Sequence, residues 1–362
     1  MRYQTAGAGM RLQKFEERTS TTLVSIQALR AIAALMVLSL HVSLQVAKLT
    51  PTAILTPGAA GVDLFFVISG FVMLYSSERL LGRPWASAQF FKRRLLRIVP
   101  LYWLATTALV LLLAPFAGTK AVIASLLFWP YPAGGAPLLN VGWTLNIEMF
   151  FYLAFAAALL AKSRVVVTTT VSIFLLGFAW LGPTSGGFSY LSNPIIIEFV
   201  FGMMIALAYR AGIRLAPWAT IGLLVSGLTL YVATFPDAGA IPRQFSWGIP
   251  AALIVAAVAL SRIARATTPA IGIIVFFGDM SYALYLTHNI TLPLIVPAVA
   301  RLVQPVQPWL CGTAMFVVCV VIGAVTYLLL ERPITRILQQ LSLPERRPAH
   351  SSPGLAFEVL KS

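Results

Sequence analysis

Apolar residues fall along the chain in long runs separated by short stretches rich in Gly, Pro and charge. A bilayer hydrocarbon core about 30 Å thick takes roughly 20 residues of helix. Runs of that order lie at 23–47, 59–77, 98–116, 142–161, 165–182, 194–210, 217–235, 246–261, 274–299 and 309–330. The pattern predicts an all-α polytopic membrane protein of about ten transmembrane helices. A further stretch, Ala121 to Trp129, is too short to cross and ends in Trp-Pro-Tyr-Pro. It is expected to be re-entrant or interfacial, because irregular backbone at membrane depth must be satisfied by protein or water. Around these runs, residues 1–22 read as a polar leader, 23–331 as the transmembrane domain and 332–362 as a polar tail too short to fold as a domain.

Composition sharpens the picture. Only 10% of the 362 residues are charged and 59% are hydrophobic, with mean hydropathy +0.87, whereas soluble domains are about a quarter charged. A water-soluble fold is excluded. The net charge of +15 could suggest nucleic acid, but the basic residues form short clusters between apolar runs, as the positive-inside rule requires. With the N-terminus inside, Lys48, Lys120, Arg243 and Arg301 fall outside, Arg30 lies within a span, and the other twenty-one Lys and Arg fall inside. Both termini are therefore expected in the cytoplasm, with no cleavable signal. The two cysteines, Cys311 and Cys319, share one apolar run, giving neither a disulfide framework nor metal-ligand spacing.

Titratable side chains inside spans are costly and usually functional. Arg30 and His41 lie eleven residues apart in the first span, about 20° apart in azimuth and about 16 Å in height. They share a face. In one reading Arg30 snorkels to the headgroups and His41 is a core histidine; in the other they serve a polar site. Asp63, Glu148 and Glu198 are expected one to two turns in from the outer surface, level with His41, where a shared cavity would hold them. Asp63 after Gly61, and Glu198 after Asn193 and Pro194, also suit helix N-termini. Glu148 sits among Trp143, Met149, Phe150, Phe151 and Tyr152, where that alternative does not apply.

An imidazole beside a carboxylate suits general-base attack by a hydroxyl. Proton-coupled transporters of polysaccharide precursors or small molecules place the same groups at this depth, so both classes stay open. The cluster Lys92, Arg93, Arg94 and Arg97 suits anionic lipid or a phosphate-bearing cofactor such as coenzyme A. Asp279, Tyr282, Tyr285 and His288 line the ninth span at spacings of three or six. Of these, His288 best fits a polar cavity.

Several motifs recur in order: Arg30 and His41 in SIQALRAIAALMVLSLH, GVDLFFVISGFVM from Gly61 to Met73, the Arg94-x-x-Arg97 pair, VGWTLNIEMFFY around Glu148, SYALYLTH ending at His288, and Glu331-Arg332-Pro333. Together they resemble the membrane acyltransferase family known as acyltransferase 3, and more closely its exopolysaccharide O-acetyltransferases of the succinoglycan type. The resemblance implies transfer of an acyl group, usually acetyl from acetyl-CoA, to a carbohydrate hydroxyl across the membrane, here a bacterial inner membrane. It implies His41 as base or acyl acceptor, Arg30 as its partner, and Arg94 and Arg97, with Arg93 beside them, as donor-phosphate contacts. Glu148 matches the motif carboxylate; it or Asp63 would orient His41. His288, Tyr285 and Glu198 are expected in the substrate cavity. Some members append an extracytoplasmic hydrolase-like domain that this sequence lacks, so a stand-alone enzyme is expected. Its partners would be the bilayer, acyl-CoA, a lipid-linked or polymeric carbohydrate and other exopolysaccharide biosynthesis proteins, without metal or nucleic acid.

Overall fold

The structure is a computed structural model that describes residues 2–52, 54–131, 135–183, 185, 189–234, 241–262, 269–302 and 307–342. Its helices are α1 Arg2–Leu49, α2 Gly61–Ser76, α3 Ala86–Leu113, α4 Thr119–Leu126, α5 Trp143–Ala158, α6 Arg164–Leu181 and α7 Ile197–Arg210. They continue with α8 Pro217–Thr234, α9 Ile249–Ala259, α10 Pro269–Asp279, α11 Ser281–Leu302, α12 Pro308–Thr326 and α13 Arg332–Ser342. Proline opens α8, α10 and α12, where its missing N–H is one that helix geometry leaves unpaired anyway. Side chains cap two more entrances: Ser163 accepts from the Val165 amide ahead of α6, and Asn193 from Ile195 ahead of α7.

The chain is an all-α, multi-pass membrane protein. Among the described residues eight helical segments are long and apolar enough to cross a bilayer. The runs expected at 194–210 and 246–261 are also helical but shorter, α7 and α9 being preceded by a tight turn and a π turn. The ninth expected span, 274–299, is not one helix. It bends at Met280 because its start is bound to α1: a Cβ on Gly278 would stand 2.4 Å from the Gln27 carbonyl oxygen, and Asp279 accepts a hydrogen bond from the Gln27 amide. The apolar stretch after the third span becomes α4, eight residues long, tied to α3 by Tyr102 and Trp103 bonding to Ser125 and Leu126 carbonyls. At the ends of the chain, α1 runs unbroken from Arg2, and the tail continues as α13 to Ser342. His350 and the basic residues Arg265, Arg346, Arg347 and Lys361 lie outside the described residues.

Contacts between helix ends test the alternation of the spans independently of hydropathy. Glu78, after α2, pairs with Arg164 at the start of α6 and Arg210 at the end of α7. The Gly82 amide donates to Leu159 after α5, and Leu215 before α8 bonds to Leu260 and Arg262 after α9. These ends therefore share one side, the basic face. On the other side Tyr231 of α8 donates to the Pro57 carbonyl before α2.

Two apolar cores flank α1. One gathers α2, α3, α5, α6, α7 and α9; the other joins α1 to α11 and α12 through Leu38, Val42, Met315 and Cys319. The tightest seam is α2 against α7. A Cβ on Gly70 would lie 2.1 Å from the Phe199 carbonyl oxygen, and one on Gly202 2.0 Å from that of Val67. Apolar burial drives little association in lipid, so small residues that let backbones touch are what hold such pairs.

Candidate active site

α2 presents Val62, Phe65, Phe66, Ser69, Val72 and Met73 to a cavity of about 140 Å³, a stripe with the i, i+3, i+4, i+7 spacing of one helix face. α3 contributes Arg94, Arg97 and Ile98, α5 contributes Thr144, Glu148 and Tyr152, and α11 contributes Ser281, Tyr282 and Tyr285. Arg30 of α1 completes it. The structure thus brings together four of the expected site residues, Arg30, Arg94, Arg97 and Glu148, with Tyr285. Arg30, Arg97 and Val72 also line a second, wider vestibule of about 410 Å³ toward the basic face, together with Gln27, Asp279, Tyr327 and Glu331. The two spaces meet at the arginines.

Each arginine is held by its surroundings. Arg30 donates to Gln27 Oε1 at 2.9 Å, and the amide nitrogen of Gln27 donates in turn to Asp279. Arg97, Glu331 and Asp279 all lie within electrostatic range of Arg30. The Glu331 carboxylate is buried, with Oε2 unpartnered; the Ala283 backbone bonds the group, and Arg97 and Arg30 lie within its electrostatic range. Arg94 bonds Ser76 at 3.3 Å and stands over the Phe90 ring, leaving its Nε unpartnered. Arg93 is one residue along and hence turned about 100° away; it is exposed and does not line the cavity. Deeper in, Glu148 accepts from Ser69 and Tyr152, each at 2.5 Å.

The far end of the cavity is closed by Tyr285, whose hydroxyl meets Thr144 Oγ1 at 2.9 Å and the Val141 carbonyl at 3.0 Å. One turn further along α11 is His288. Its ring lies 6.0 Å from that of Tyr285 and 4.9 Å from that of His41. His288 is buried; its Nδ1 meets the Leu284 carbonyl at 3.0 Å and its Nε2 has no partner. A carbonyl can only accept, so Nδ1 carries the proton and Nε2 keeps its lone pair. His41 is half-buried. The partner that the fold gives His41 is an imidazole.

Asp63 and Glu198 do not share this space, and helix geometry explains why. Asp63 lies one residue off the cavity stripe of α2, on the face with Val67 and Gly70 that packs against α7. The turn before α2 also folds back along α1: the Leu55 amide donates to Ser43 Oγ, and a Cβ on Gly61 would lie 2.4 Å from the Ala33 carbonyl oxygen. This places the start of α2 beside the middle of α1 rather than level with His41. Asp63, fully buried, forms a two-pronged ion pair with Arg243 at 2.7 and 3.0 Å. Glu198 is buried beside Gly248 and against the Asp63 carboxyl, within electrostatic range of Arg243. Among the described residues, none of Asp63, Glu148 and Glu198 hydrogen-bonds His41.

Sequence patterns assign Gln27 no role, Glu331 only a place in a motif, and Arg243 only a topological one. Gln27 was legible as the i−3 neighbour of Arg30 on the same face. The partners of Glu331 and Arg243 come from distant helices and left no local signal.

Residues 23–328 match a family model described as an acyltransferase domain, that of acyltransferase 3. The chain belongs to this family and is a membrane acyltransferase, a transferase that acylates a hydroxyl. It is 35% identical over 302 residues to the exopolysaccharide production protein ExoZ of Rhizobium meliloti (strain 1021), covering 78% of this chain and 90% of that one. It is 26% identical to the acyltransferase MdmB of Streptomyces mycarofaciens, covering 93% of this chain and 96% of the other. No solved structure matches.

Proposed function

We propose that this protein is an inner-membrane O-acetyltransferase that takes acetyl-CoA at the cytoplasmic, basic face and delivers the acetyl group to a hydroxyl of an exopolysaccharide or other cell-surface glycan. The observation that carries this reading is the convergence of Arg30, Arg94 and Arg97, from two helices, on one cavity that opens through a vestibule on the basic face. Guanidinium groups at membrane depth are costly unless they meet an anion, and a phosphate-bearing thioester is an anion that can also supply the acyl group. Both named relatives cover most of this chain, and the name of one points to exopolysaccharide.

In this account the donor phosphates rest on the arginines and the pantetheine arm crosses the cavity past Glu148 to Tyr285, whose side chain moves aside to admit the thioester to His41. The distance suits it, since Arg30 and His41 are separated by about 16 Å of helix, comparable to a pantetheine arm. His41 takes the proton of the acceptor hydroxyl as its oxygen attacks the thioester carbonyl. The carbon–sulfur bond then breaks and the thiolate leaves, receiving that proton. His288, with its free Nε2, is positioned to accept a hydrogen bond from the protonated His41 and so stabilise the cation as it forms. Glu148, bonded to Ser69 and Tyr152, contributes negative charge near Arg94 and shapes the cavity instead of orienting His41.

The test is mass spectrometry of surface glycans from strains carrying wild-type, His41→Ala or deleted protein, with expression checked. Loss of one acetyl mass per modified site in both mutants supports the reading. Full acetylation in His41→Ala contradicts it.

A further inference from the structure

The vestibule contains two arginines that the reaction leaves without a task. Arg332 and Arg336 stand one turn apart on α13 and, with Thr335 and Gln339, present one stripe of that helix to the 410 Å³ space. The other stripe, Ile337 and Leu341, is 55% and 78% exposed. Helical dihedrals at Thr326 and Arg332 carry the chain through the junction, so Pro308–Leu341 is one continuous helical segment and α13 extends α12 along its own axis. The π turn Tyr327–Glu331 joins it directly to α12, and the junction sends Glu331 inward while Arg332 is exposed at the rim. The vestibule therefore has guanidiniums at two levels, Arg332 and Arg336 at the mouth and Arg30 and Arg97 at the floor. Its two carboxylates are unequal, since Asp279 is engaged by Gln27 while Glu331 faces the floor.

We propose that α13 and the vestibule form a nucleotide subsite, in which Arg332 and Arg336 bind the ribose phosphate of the donor's 3′-phosphorylated adenosine end while Arg30 and Arg97 hold its pyrophosphate. This rests on the donor reading above and extends it to residues outside the inner cavity. Coenzyme A carries phosphate on both the 3′ and the 5′ oxygen of one ribose, and a site with cations at two levels meets both. The vestibule is also about three times as large as the inner cavity, as a bulky nucleotide head followed by a thin arm requires. Guanidinium forks suit both phosphate groups. An anionic phospholipid headgroup shares this chemistry, and basic residues at the end of a spanning helix meet such headgroups.

The experiment uses the full chain in phosphatidylcholine nanodiscs. Adenosine 3′,5′-bisphosphate is titrated into wild type and into an Arg332→Ala/Arg336→Ala variant, and steady-state transfer is measured with acetyl-CoA and with S-acetylpantetheine, which lacks the nucleotide. Both side chains are exposed, so alanine leaves the packing intact. Saturable binding by wild type that weakens about tenfold or more in the variant is expected. The ratio of kcat/KM for acetyl-CoA to that for S-acetylpantetheine should fall by a similar factor. Nucleotide binding indifferent to the substitutions, or an unchanged donor ratio, overturns the proposal. So does a variant that, by native mass spectrometry from nanodiscs doped with phosphatidylglycerol, loses that lipid yet binds the nucleotide as wild type does, which makes the vestibule a lipid site. If wild type transfers acetyl from neither donor, the donor reading fails on its own, and the nucleotide titration still decides the subsite.

Discussion

The imidazoles of His41 on α1 and His288 on α11 stand 4.9 Å apart, ring centre to ring centre, and the Leu284 carbonyl fixes His288 with its lone pair on Nε2. His288→Phe keeps the ring volume and removes that acceptor. We expect kcat for acetyl transfer to fall about 10²-fold while KM for the donor changes little, since the ring is remote from the arginines. Steady-state kinetics on the purified variant check this, and an unaltered kcat removes His288 from the reaction.

Arg30 meets Gln27 through one hydrogen bond and faces Glu331 and Arg97 across the junction of the two spaces. Lysine preserves the charge but not the planar fork. Arg30→Lys is therefore expected to raise KM for acetyl-CoA about tenfold, a loss of roughly 1.4 kcal/mol, with kcat less affected. Arg93→Ala, on the exposed side of the same arginine cluster, should leave that KM within about twofold.

Much of the fold was legible because bilayer thickness imposes a length on apolar runs and charge bias assigns their sides. Each run predicted as a span is helical, and the Glu78–Arg164 and Glu78–Arg210 pairs place the basic ends together as the charge count implied. The bend at Met280 was not legible, because it depends on Gly278 reaching the backbone of a helix some 250 residues earlier. The site was half legible. Arg30 and His41 are expected from spacing on one face at different heights; the structure places Arg30 at the junction of the two cavities and His41 beside His288, beyond the residues that line them. Asp63 was misjudged because depth along a helix was considered without azimuth: one residue of offset from Val62 turns it from the cavity to α7. His288 as the neighbour of His41 required the pairing of α1 with α11, which no spacing within either helix reveals.

Asp63 is fully buried and its charge is met by Arg243. Removing one partner of a buried pair leaves an uncompensated charge and costs about 3–5 kcal/mol. Arg243→Leu should lower the unfolding temperature markedly in detergent, and adding Asp63→Asn should recover a substantial part of the loss. Thermal unfolding of the two variants measures this; an Arg243→Leu protein as stable as wild type would show that the pair does not hold α2 to the segment before α9.

The seam between α2 and α7 admits no side chain at Gly70 or Gly202, where a Cβ would stand 2.1 and 2.0 Å from backbone oxygens. Gly70→Ala or Gly202→Ala is expected to destabilise by about 1–3 kcal/mol or more, because a rigid backbone, not a mobile side chain, must yield. At Gly177, where no atom lies within 4 Å of the position a methyl would take, alanine should be tolerated. Comparing detergent-solubilised folded yield across the three variants checks the contrast.

In the proposed mechanism one passage carries acetyl from the arginines to the histidine pair. The most direct measurement is transfer of isotope-labelled acetyl from acetyl-CoA to glycan by the purified protein in liposomes, for wild type, Arg30→Ala/Arg97→Ala and His41→Ala. Labelled glycan with wild type is predicted, with little label in the arginine variant that is partly restored by raising acetyl-CoA, and none with His41→Ala at any donor concentration. Label transferred equally by His41→Ala, or none transferred by folded wild type, would contradict it.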